Sequence, residues 1–350
     1  MKKMFPASVV GSMPRPAEVR ELVARDATDT LEMDDAIRAV VAVQEDAGLD
    51  VITDGEWRRR SYIGVIAELA HGFDVGINPA DGRPWTVVTG RLEPKTGGFI
   101  AAEAKFLRSI TDRQIKVTLP APALLGERVW DADASSGAYP DPKDFVRDCV
   151  PVLRREIELL VDAGVDIIQI DDPHLCLFVD QHVRATYDDP EAAANFSVDM
   201  VNAVVEGISG PTMALHLCRR AGARARGESD YQGGYATILS QINRLDIDHL
   251  TIEFSTPGSG DISILKQFNP EFEIGLGCVG VTPGDIDPLE KVVERVEEAL
   301  KWIGAERVTL NPDCGFAPGS AAEVDLEEVA EKLRIEVMAA QHLRKRHGGT

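Results

Sequence analysis

Several features common in other protein classes are missing from this 350-residue sequence. No apolar run approaches the roughly 18 residues that a membrane span needs. The N-terminus carries Lys2 and Lys3 but reaches Gly11 and Pro14 before any long apolar stretch, so we expect no signal peptide and a cytoplasmic protein. Basic residues are outnumbered, with 37 lysines and arginines against 58 acids and a net charge of −21. That charge argues against nucleic acid or an anionic membrane as a partner.

Cysteines are few, odd in number and widely spaced. They are Cys149, Cys176, Cys218, Cys278 and Cys314. This pattern does not resemble a disulfide framework, and in a cytoplasmic protein it indicates metal ligation, catalysis or burial. Cys149 and Cys176 lie in stretches with helical spacing and are expected in the core. The Gly-rich neighbourhood of Cys278 is typical of a small buried thiol.

The sequence also lacks a Gly-rich phosphate turn after its first strand, where Gly11 is followed by Ser12, Met13 and Pro14. Eight strands are predicted, at residues 8–12, 51–56, 115–120, 166–173, 211–215, 249–254, 272–279 and 307–315. The main predicted helices cover residues 30–47, 145–163, 190–208, 235–245, 289–303 and 322–345. This alternation forces parallel pairing and predicts an α/β fold, a single (β/α)₈ TIM barrel over residues 1–350, with a small hairpin inserted around residues 73–99. The arms of the hairpin are predicted at Trp85-Thr86-Val87-Val88 and Gly90-Arg91-Leu92.

In such a barrel the functional side chains lie at the carboxyl ends of the strands. Those positions hold Ser12, Glu56, Asp171, His216, Cys218, Glu253, Cys278 and Cys314. His216 and Cys218 are two residues apart at the end of one strand and therefore project to the same side. A buried thiol beside a hydrogen-bonded histidine would explain that pair alone. With Glu253 and Cys314 at later strand ends, the set predicts a Zn²⁺ site.

Two further strand ends carry carboxylates, each beside a second acid. Glu56 has Asp54 as its rival for the inward position, and Asp171 has Asp172. Carboxylates at a barrel mouth commonly bind a cation or an amine. The alternative is ion pairing with the arginines at 58–60.

Zinc held by two thiolates and a carboxylate suits activation of a substrate thiol better than activation of water. It lowers the pKa of a bound thiol, so that the nucleophilic thiolate exists at neutral pH. We therefore expect alkyl transfer to a small-molecule thiol from an alkyl donor. The metal-bound substrate thiolate is the catalytic group, and no protein general base is assigned. The sequence leaves a homo-oligomer open.

Six motifs resemble the cobalamin-independent methionine synthase family, specifically its C-terminal catalytic barrel standing alone. They are Val10-Gly11-Ser12-Met13-Pro14-Arg15-Pro16, Asp54-Gly55-Glu56-Trp57-Arg58-Arg59, Ile168-Gln169-Ile170-Asp171-Asp172-Pro173, His216-Leu217-Cys218, Thr251-Ile252-Glu253 and Asn311-Pro312-Asp313-Cys314-Gly315. The resemblance implies that His216, Cys218, Glu253 and Cys314 bind zinc. It also implies that Ser12 meets the carboxylate of homocysteine, while Glu56 and Asp171 hold its amino group. The expected product is methionine.

The chain departs from the family pattern where the methyl donor should bind. The region after the seventh strand, Cys278 to Pro283, has no histidine, and the expected tryptophan is replaced near Glu127 and Arg128. The N-terminal half of the full-length enzyme is also missing. These differences predict a donor other than polyglutamylated methyltetrahydrofolate.

Three alternatives remain. Epoxyalkane:coenzyme M transferases of the same superfamily open epoxides with a zinc-bound thiol, and Arg219 and Arg220 offer cations for a sulfonate. The barrel is also similar to uroporphyrinogen decarboxylase, which needs no metal and would leave the four ligands without a purpose. A zinc-stabilised scaffold without activity would place its metal away from the barrel mouth.

Overall fold

The computed structural model describes residues 3–79, 83–219, 231–317 and 325–348. Its strands are β1 Val51–Ile52, β2 Ala70–Ile77, β3 Pro84–Pro94, β4 Gln114–Pro120, β5 Ile167–Asp171, β6 Thr212–Leu217, β7 His249–Glu253, β8 Glu273–Val279 and β9 Val308–Pro312. Its α-helices are α1 Ala17–Ala24, α2 Leu31–Ala47, α3 Ile66–Leu69, α4 Phe99–Ile110, α5 Pro122–Val129, α6 Ala132–Ser135, α7 Pro142–Asp162, α8 Pro173–Leu177, α9 Gln181–Arg184, α10 Pro190–Val205, α11 Leu239–Ile242, α12 Leu289–Ala299 and α13 Leu326–His347. No helix in these ranges is long and apolar enough to cross a membrane.

Seven parallel strands form one curled sheet in the order β1-β4-β5-β6-β7-β8-β9. The two edges are joined by the N-terminal segment, because Ser8 forms a parallel bridge with Val51 of β1 and Ala7 forms one with Leu310 of β9. The residues at 7 and 8 therefore occupy the eighth place in the ring. This arrangement confirms the TIM-barrel prediction, and it directs the carboxyl ends of all the strands to one mouth.

The first two strands are shorter than predicted. The N-terminal segment pairs only at Ala7 and Ser8, and not over residues 8–12. The second strand ends at Ile52 because the Gln44 side chain donates to the Thr53 carbonyl (2.8 Å) and accepts from its N–H (3.0 Å). A turn then follows, in which Gly55 and Glu56 both have positive φ (72° and 60°). Strand pairing cannot continue through that conformation.

The inserted hairpin is present, but its strands differ from those predicted. Residues 85–92 were expected to form both arms, whereas they lie within the single strand β3, which pairs antiparallel with β2. The register shifts between the pairs His71–Glu93 and Phe73–Val88, so residues 89–92 bulge opposite Gly72. A Cβ at Gly72 would lie 2.8 Å from the Gly90 carbonyl oxygen, so this close approach requires glycine.

Side chains from other elements hold the N-terminal segment where backbone pairing is sparse. Lys116 of β4 donates to the Val9 carbonyl (2.7 Å), Gln169 of β5 donates to that of Val10 (3.1 Å), and Glu336 of α13 accepts from the Ser8 N–H (3.0 Å). All three side chains are buried. Burial lowers the pKa of Lys116 to about 8 and raises that of Glu336 to about 8. Polar side chains thus complete the closure of the barrel.

Arg344 at the end of α13 also holds this segment. Its guanidinium donates to the carbonyls of Met4 and Phe5 and to the Asp50 carboxylate, each at 2.7 Å. The side chains of Arg344 and Asp50 are only 11% and 10% exposed, so water can replace little of this interaction.

We predict that Arg344→Met lowers the free energy of unfolding by about 2 kcal/mol, because two carbonyls lose their donor and Asp50 keeps only the half-exposed Lys3 ammonium and the Ala7 N–H as partners. The matched control is Arg334→Met on the same helix. Arg334 pairs with Glu331 at 3.2 Å, but both side chains are about half exposed. We expect its loss to cost less than about 0.5 kcal/mol. Urea denaturation measures both, and equal effects would contradict this account of barrel closure.

Candidate metal centre

Three side chains that could bind a metal ion meet at the barrel mouth. They are His216 at the end of β6, Cys218 one residue beyond that strand, and Cys314 two residues beyond β9. One ligand atom from each lies within 4.8 Å of the other two, and the two sulfur atoms are 3.2 Å apart. All three residues are buried. The structure therefore brings together three of the four side chains predicted as metal ligands.

The imidazole of His216 is oriented by a carboxylate. Asp171, on the neighbouring strand β5, lies 3.3 Å from Nδ1 of His216 and also accepts from Gln169 (2.8 Å). If Nδ1 carries the proton, Nε2 keeps a lone pair. Among the described residues Nε2 is buried and has no hydrogen-bond partner. A carboxylate on one imidazole nitrogen and a metal on the other is the usual arrangement of a histidine ligand, so the site fits a cation.

The electrostatics of the cluster favour positive charge. Burial lowers the pKa of an imidazole, but the hydrogen bond to Asp171 and the charges of Cys218 and Glu253 outweigh it and raise the pKa of His216 to about 9. The hydrogen bond with Cys218, together with burial, raises the pKa of the Cys314 thiol well above its usual range. A divalent cation would reverse this balance and favour both thiolates.

Glu253, the fourth predicted ligand, lies at the edge of the cluster. It is fully buried at the end of β7, and its charge acts on both His216 and Cys314. One of its carboxylate oxygens accepts from the Arg219 N–H at 2.7 Å. Among the described residues, the group that could hold a metal ion consists of His216, Cys218 and Cys314 and does not include Glu253. The Glu253 carboxylate is instead hydrogen-bonded to the backbone.

Arg219, considered above as an anion-binding residue, is turned to the backbone. Its guanidinium is buried and donates to the carbonyls of Gly233 (2.5 Å) and Tyr231 (2.6 Å). This geometry gives Arg219 a role in holding the chain at 231–233 next to the cluster. Arg220, the second arginine of that prediction, lies outside the described residues.

Asp313 positions the turn that carries Cys314, and the sequence reasoning assigned it no role. Its carboxylate accepts from the N–H groups of Phe254 (3.1 Å) and Ser255 (3.0 Å) and from the Ser255 hydroxyl. Gly277 makes room for it, since a Cβ there would lie 2.6 Å from the Asp313 carboxylate. Asp313 thus ties the end of β9 to the end of β7, which carries Glu253.

The structure separates each rim carboxylate from its rival. Asp171 faces His216, whereas Asp172 is the N-cap of α8 and accepts from Leu175 (2.8 Å) and Ser197 (3.1 Å). Asp54 is likewise turned to the backbone, where it accepts from the Glu56 N–H (2.9 Å). This leaves Asp171 and Glu56 as the inward pair, and the charge of Asp171 acts on Glu56.

The expected ion pairs of the arginines at 58–60 do not involve the rim carboxylates. Arg58 pairs with Asp34, Arg59 with Glu103, and Arg60 with Asp26. In the described part of the chain, the hydrogen bond to the Glu56 carboxylate comes from Thr118 Oγ1 (2.6 Å). Burial raises the pKa of Glu56, against the lowering effect of the Arg59 charge.

Thr118 could have been found from the sequence by its spacing. Lys116 and Thr118 alternate with apolar residues on β4, as Gln169 and Asp171 do on β5. Polar residues at a period of two in a strand otherwise built for burial point to the barrel interior. Thr118 and Gln169 are register partners, and each binds one of the two inward carboxylates.

Ser12 lies beside the turn that follows Cys314. Its hydroxyl accepts a hydrogen bond from the Ala317 N–H (3.3 Å), and its backbone carbonyl accepts one from the Phe316 N–H (2.9 Å). A Cβ at Gly315 would lie 2.3 Å from the Ser12 hydroxyl oxygen, so only glycine permits this contact. Ser12 therefore lies beside the turn that follows Cys314, a residue 302 positions away in the sequence.

Known proteins resemble this sequence over most of its length. The methionine synthase of Sulfolobus acidocaldarius is 25% identical over 98% of this chain and 94% of its own length. The methionine synthase of Saccharolobus islandicus is 29% identical over 89% of this chain and 88% of its own.

A solved structure is similar to the whole fold. The B12-independent methionine synthase of Shewanella sp. W3-18-1, in complex with selenomethionine, superposes with a TM-score of 0.77 at 22% identity and covers 98% of each chain. The family model described as the catalytic domain of the cobalamin-independent synthase matches residues 5–342. The chain therefore belongs to the cobalamin-independent methionine synthase family.

Proposed function

We propose that this protein is a zinc-dependent thiol alkyltransferase that methylates homocysteine to methionine. The observation that carries the proposal is the buried group of His216, Cys218 and Cys314, with two adjoining sulfurs and an imidazole nitrogen that has no hydrogen-bond partner among the described residues. His216, Cys218 and Cys314 would hold Zn²⁺, with Glu253 completing the set. Family membership supports methyl transfer to homocysteine, and we further propose that residues 1–350 form a single catalytic domain.

Zinc would supply one kind of chemistry here, a lower pKa for the substrate thiol. The reaction forms a bond between the substrate sulfur and the alkyl carbon and breaks the bond between that carbon and its donor. The protein contributes orientation, since both reactants must be aligned at one side of the buried cluster. Asp171 fixes the ring of His216, and Asp313 fixes the turn before Cys314. We propose that Ser12, which lies beside the turn after Cys314, binds the substrate carboxylate.

Charge at the mouth favours an amino thiol over a sulfonate thiol. The Glu56 carboxylate forms no ion pair within the described residues, and the charge of Asp171 acts on it. A substrate ammonium group would complement these two acids. Coenzyme M would bring a second anion instead, and the Arg219 guanidinium is already engaged by two carbonyls. We therefore propose homocysteine as the acceptor, with a donor other than polyglutamylated methyltetrahydrofolate.

The first test is metal content. We predict that the purified protein binds about one zinc per chain and that Cys218→Ser and Cys314→Ser each lose it, because a hydroxyl is a poor replacement for a thiolate ligand. Both variants should keep the circular dichroism of the barrel, since each ligand lies beyond its strand. The matched control is Cys278→Ser, a fully buried cysteine outside the cluster, which should keep its zinc. Retention of zinc in both ligand variants would refute the assignment.

The second test is a panel of thiols measured by calorimetry on the zinc-loaded protein. We predict that L-homocysteine binds at least about tenfold more tightly than 4-mercaptobutanoate, which lacks the amino group, and more tightly than coenzyme M. Glu56→Gln should remove most of the preference for homocysteine over 4-mercaptobutanoate, because the amide has no charge to pair with the ammonium group. Tighter binding of coenzyme M would instead favour epoxide-opening chemistry.

A further inference from the structure

The backbone of Glu56 has a conformation that residues with a side chain rarely adopt. Its φ of 60° lies in the left-handed region, which is uncommon for residues other than glycine. Three backbone contacts maintain it: Arg15 donates to the Glu56 carbonyl (2.6 Å), the Arg59 N–H donates to the same carbonyl (3.2 Å), and the Glu56 N–H donates to Asp54 (2.9 Å). Strain of this kind persists only where the surroundings enforce it, and it clusters at functional sites.

The carboxylate of Glu56 is fixed by the hydroxyl of Thr118. Thr118 Oγ1 lies 2.6 Å from Oε1 of Glu56 and 2.9 Å from Nη1 of Arg59. A guanidinium can only donate, so the hydroxyl oxygen accepts from Arg59. Its single proton must therefore be donated to Glu56. The orientation of the hydroxyl group follows from the chemistry of its two neighbours, and it is set before any substrate binds.

Arg59 is itself immobilised. Nε and Nη2 of its guanidinium both bind Oε2 of Glu103 at 2.9 Å, and Nη1 also donates to the Thr118 carbonyl at 2.9 Å. The side chains of Arg59 and Glu103 are each 2% exposed. A buried guanidinium held in this way keeps its orientation, because the group is planar and each of its three nitrogens donates a hydrogen bond.

Gly11 provides the space in which these groups meet. A Cβ at that position would lie 2.6 Å from Oε1 of Glu56 and 2.9 Å from Cγ2 of Thr118. The carboxylate and the threonine are therefore packed directly against the backbone of the segment that leads to Ser12. Oε1 is thus held by Thr118 beside Gly11, so we take Oε2 as the oxygen that receives a ligand.

We propose that Thr118 is a positioning residue, which orients the Glu56 carboxylate toward the amino group of the thiol substrate and so determines selectivity for amino thiols. This inference rests on the proposed function, because it takes Glu56 to be the site of the substrate ammonium group. Arg59 acts one step further back, by fixing the direction of the Thr118 hydroxyl. Glu103, Arg59, Thr118 and Glu56 form a buried chain of hydrogen bonds that ends at the proposed site of the ammonium group.

The test is the ratio of affinities for L-homocysteine and 4-mercaptobutanoate, measured by calorimetry on zinc-loaded Thr118→Val. Valine keeps the shape of threonine but removes the hydroxyl. We expect the affinity for homocysteine to fall about tenfold and that for 4-mercaptobutanoate to stay within about twofold. Thr118→Ser restores the donor and should recover the homocysteine affinity. Thr251→Val, which removes another fully buried barrel hydroxyl, should leave the ratio unchanged.

The outcomes separate this inference from the proposed function. If the wild-type protein prefers homocysteine and Thr118→Val keeps that preference in full, the role of Thr118 is refuted while the proposed function stands. Equal weakening of both thiols would also refute it, since that result marks a general structural defect. If the wild-type protein shows no preference for the amino thiol, the assignment of Glu56 fails, and both proposals fail with it.

Discussion

The contact between two thiols across the barrel mouth depends on closure of the sheet. Cys218 follows β6 and Cys314 follows β9, and these strands are three places apart in the sheet. In a flat sheet three spacings would separate them by roughly 14 Å. Their sulfur atoms are 3.2 Å apart. The candidate metal centre therefore exists only because the sheet curves and closes, and closure depends on the bridges at Ala7 and Ser8.

Closure at this sparse seam is achieved by buried polar side chains, and the same layer supports the site. Lys116 and Gln169 bind carbonyls of the N-terminal segment, while Thr118 and Asp171, two positions further along the same strands, face the barrel mouth. On both β4 and β5, the first polar residue thus binds the N-terminal segment, and the second binds Glu56 or His216 at the barrel mouth. This coupling explains why a barrel would keep charged groups in its interior despite the cost of burying them.

Much of the fold and of the metal cluster could be predicted from the sequence, because both follow from periodicity and from where strands end. The alternation of strands and helices predicts the barrel, and the two-residue spacing of His216 and Cys218 predicts that they meet. The short first strand and the bulge in β3 could not be predicted, since both depend on long-range contacts such as that of Gly72 with Gly90. The hydrogen bonds of Arg219 and Asp313 could not be predicted for the same reason, whereas the inward position of Thr118 follows from its alternation on β4. Choosing between Asp171 and Asp172 likewise required knowing which acid caps α8.

The central claim is that the cluster holds zinc and that zinc takes up the substrate thiol. The most direct measurement is zinc X-ray absorption on the purified protein, before and after addition of L-homocysteine. The account predicts sulfur scattering near 2.3 Å from two protein thiolates, with nitrogen or oxygen ligands at shorter distance, and one further sulfur after homocysteine is added. A zinc environment without sulfur, or a sulfur count that homocysteine does not change, would contradict it.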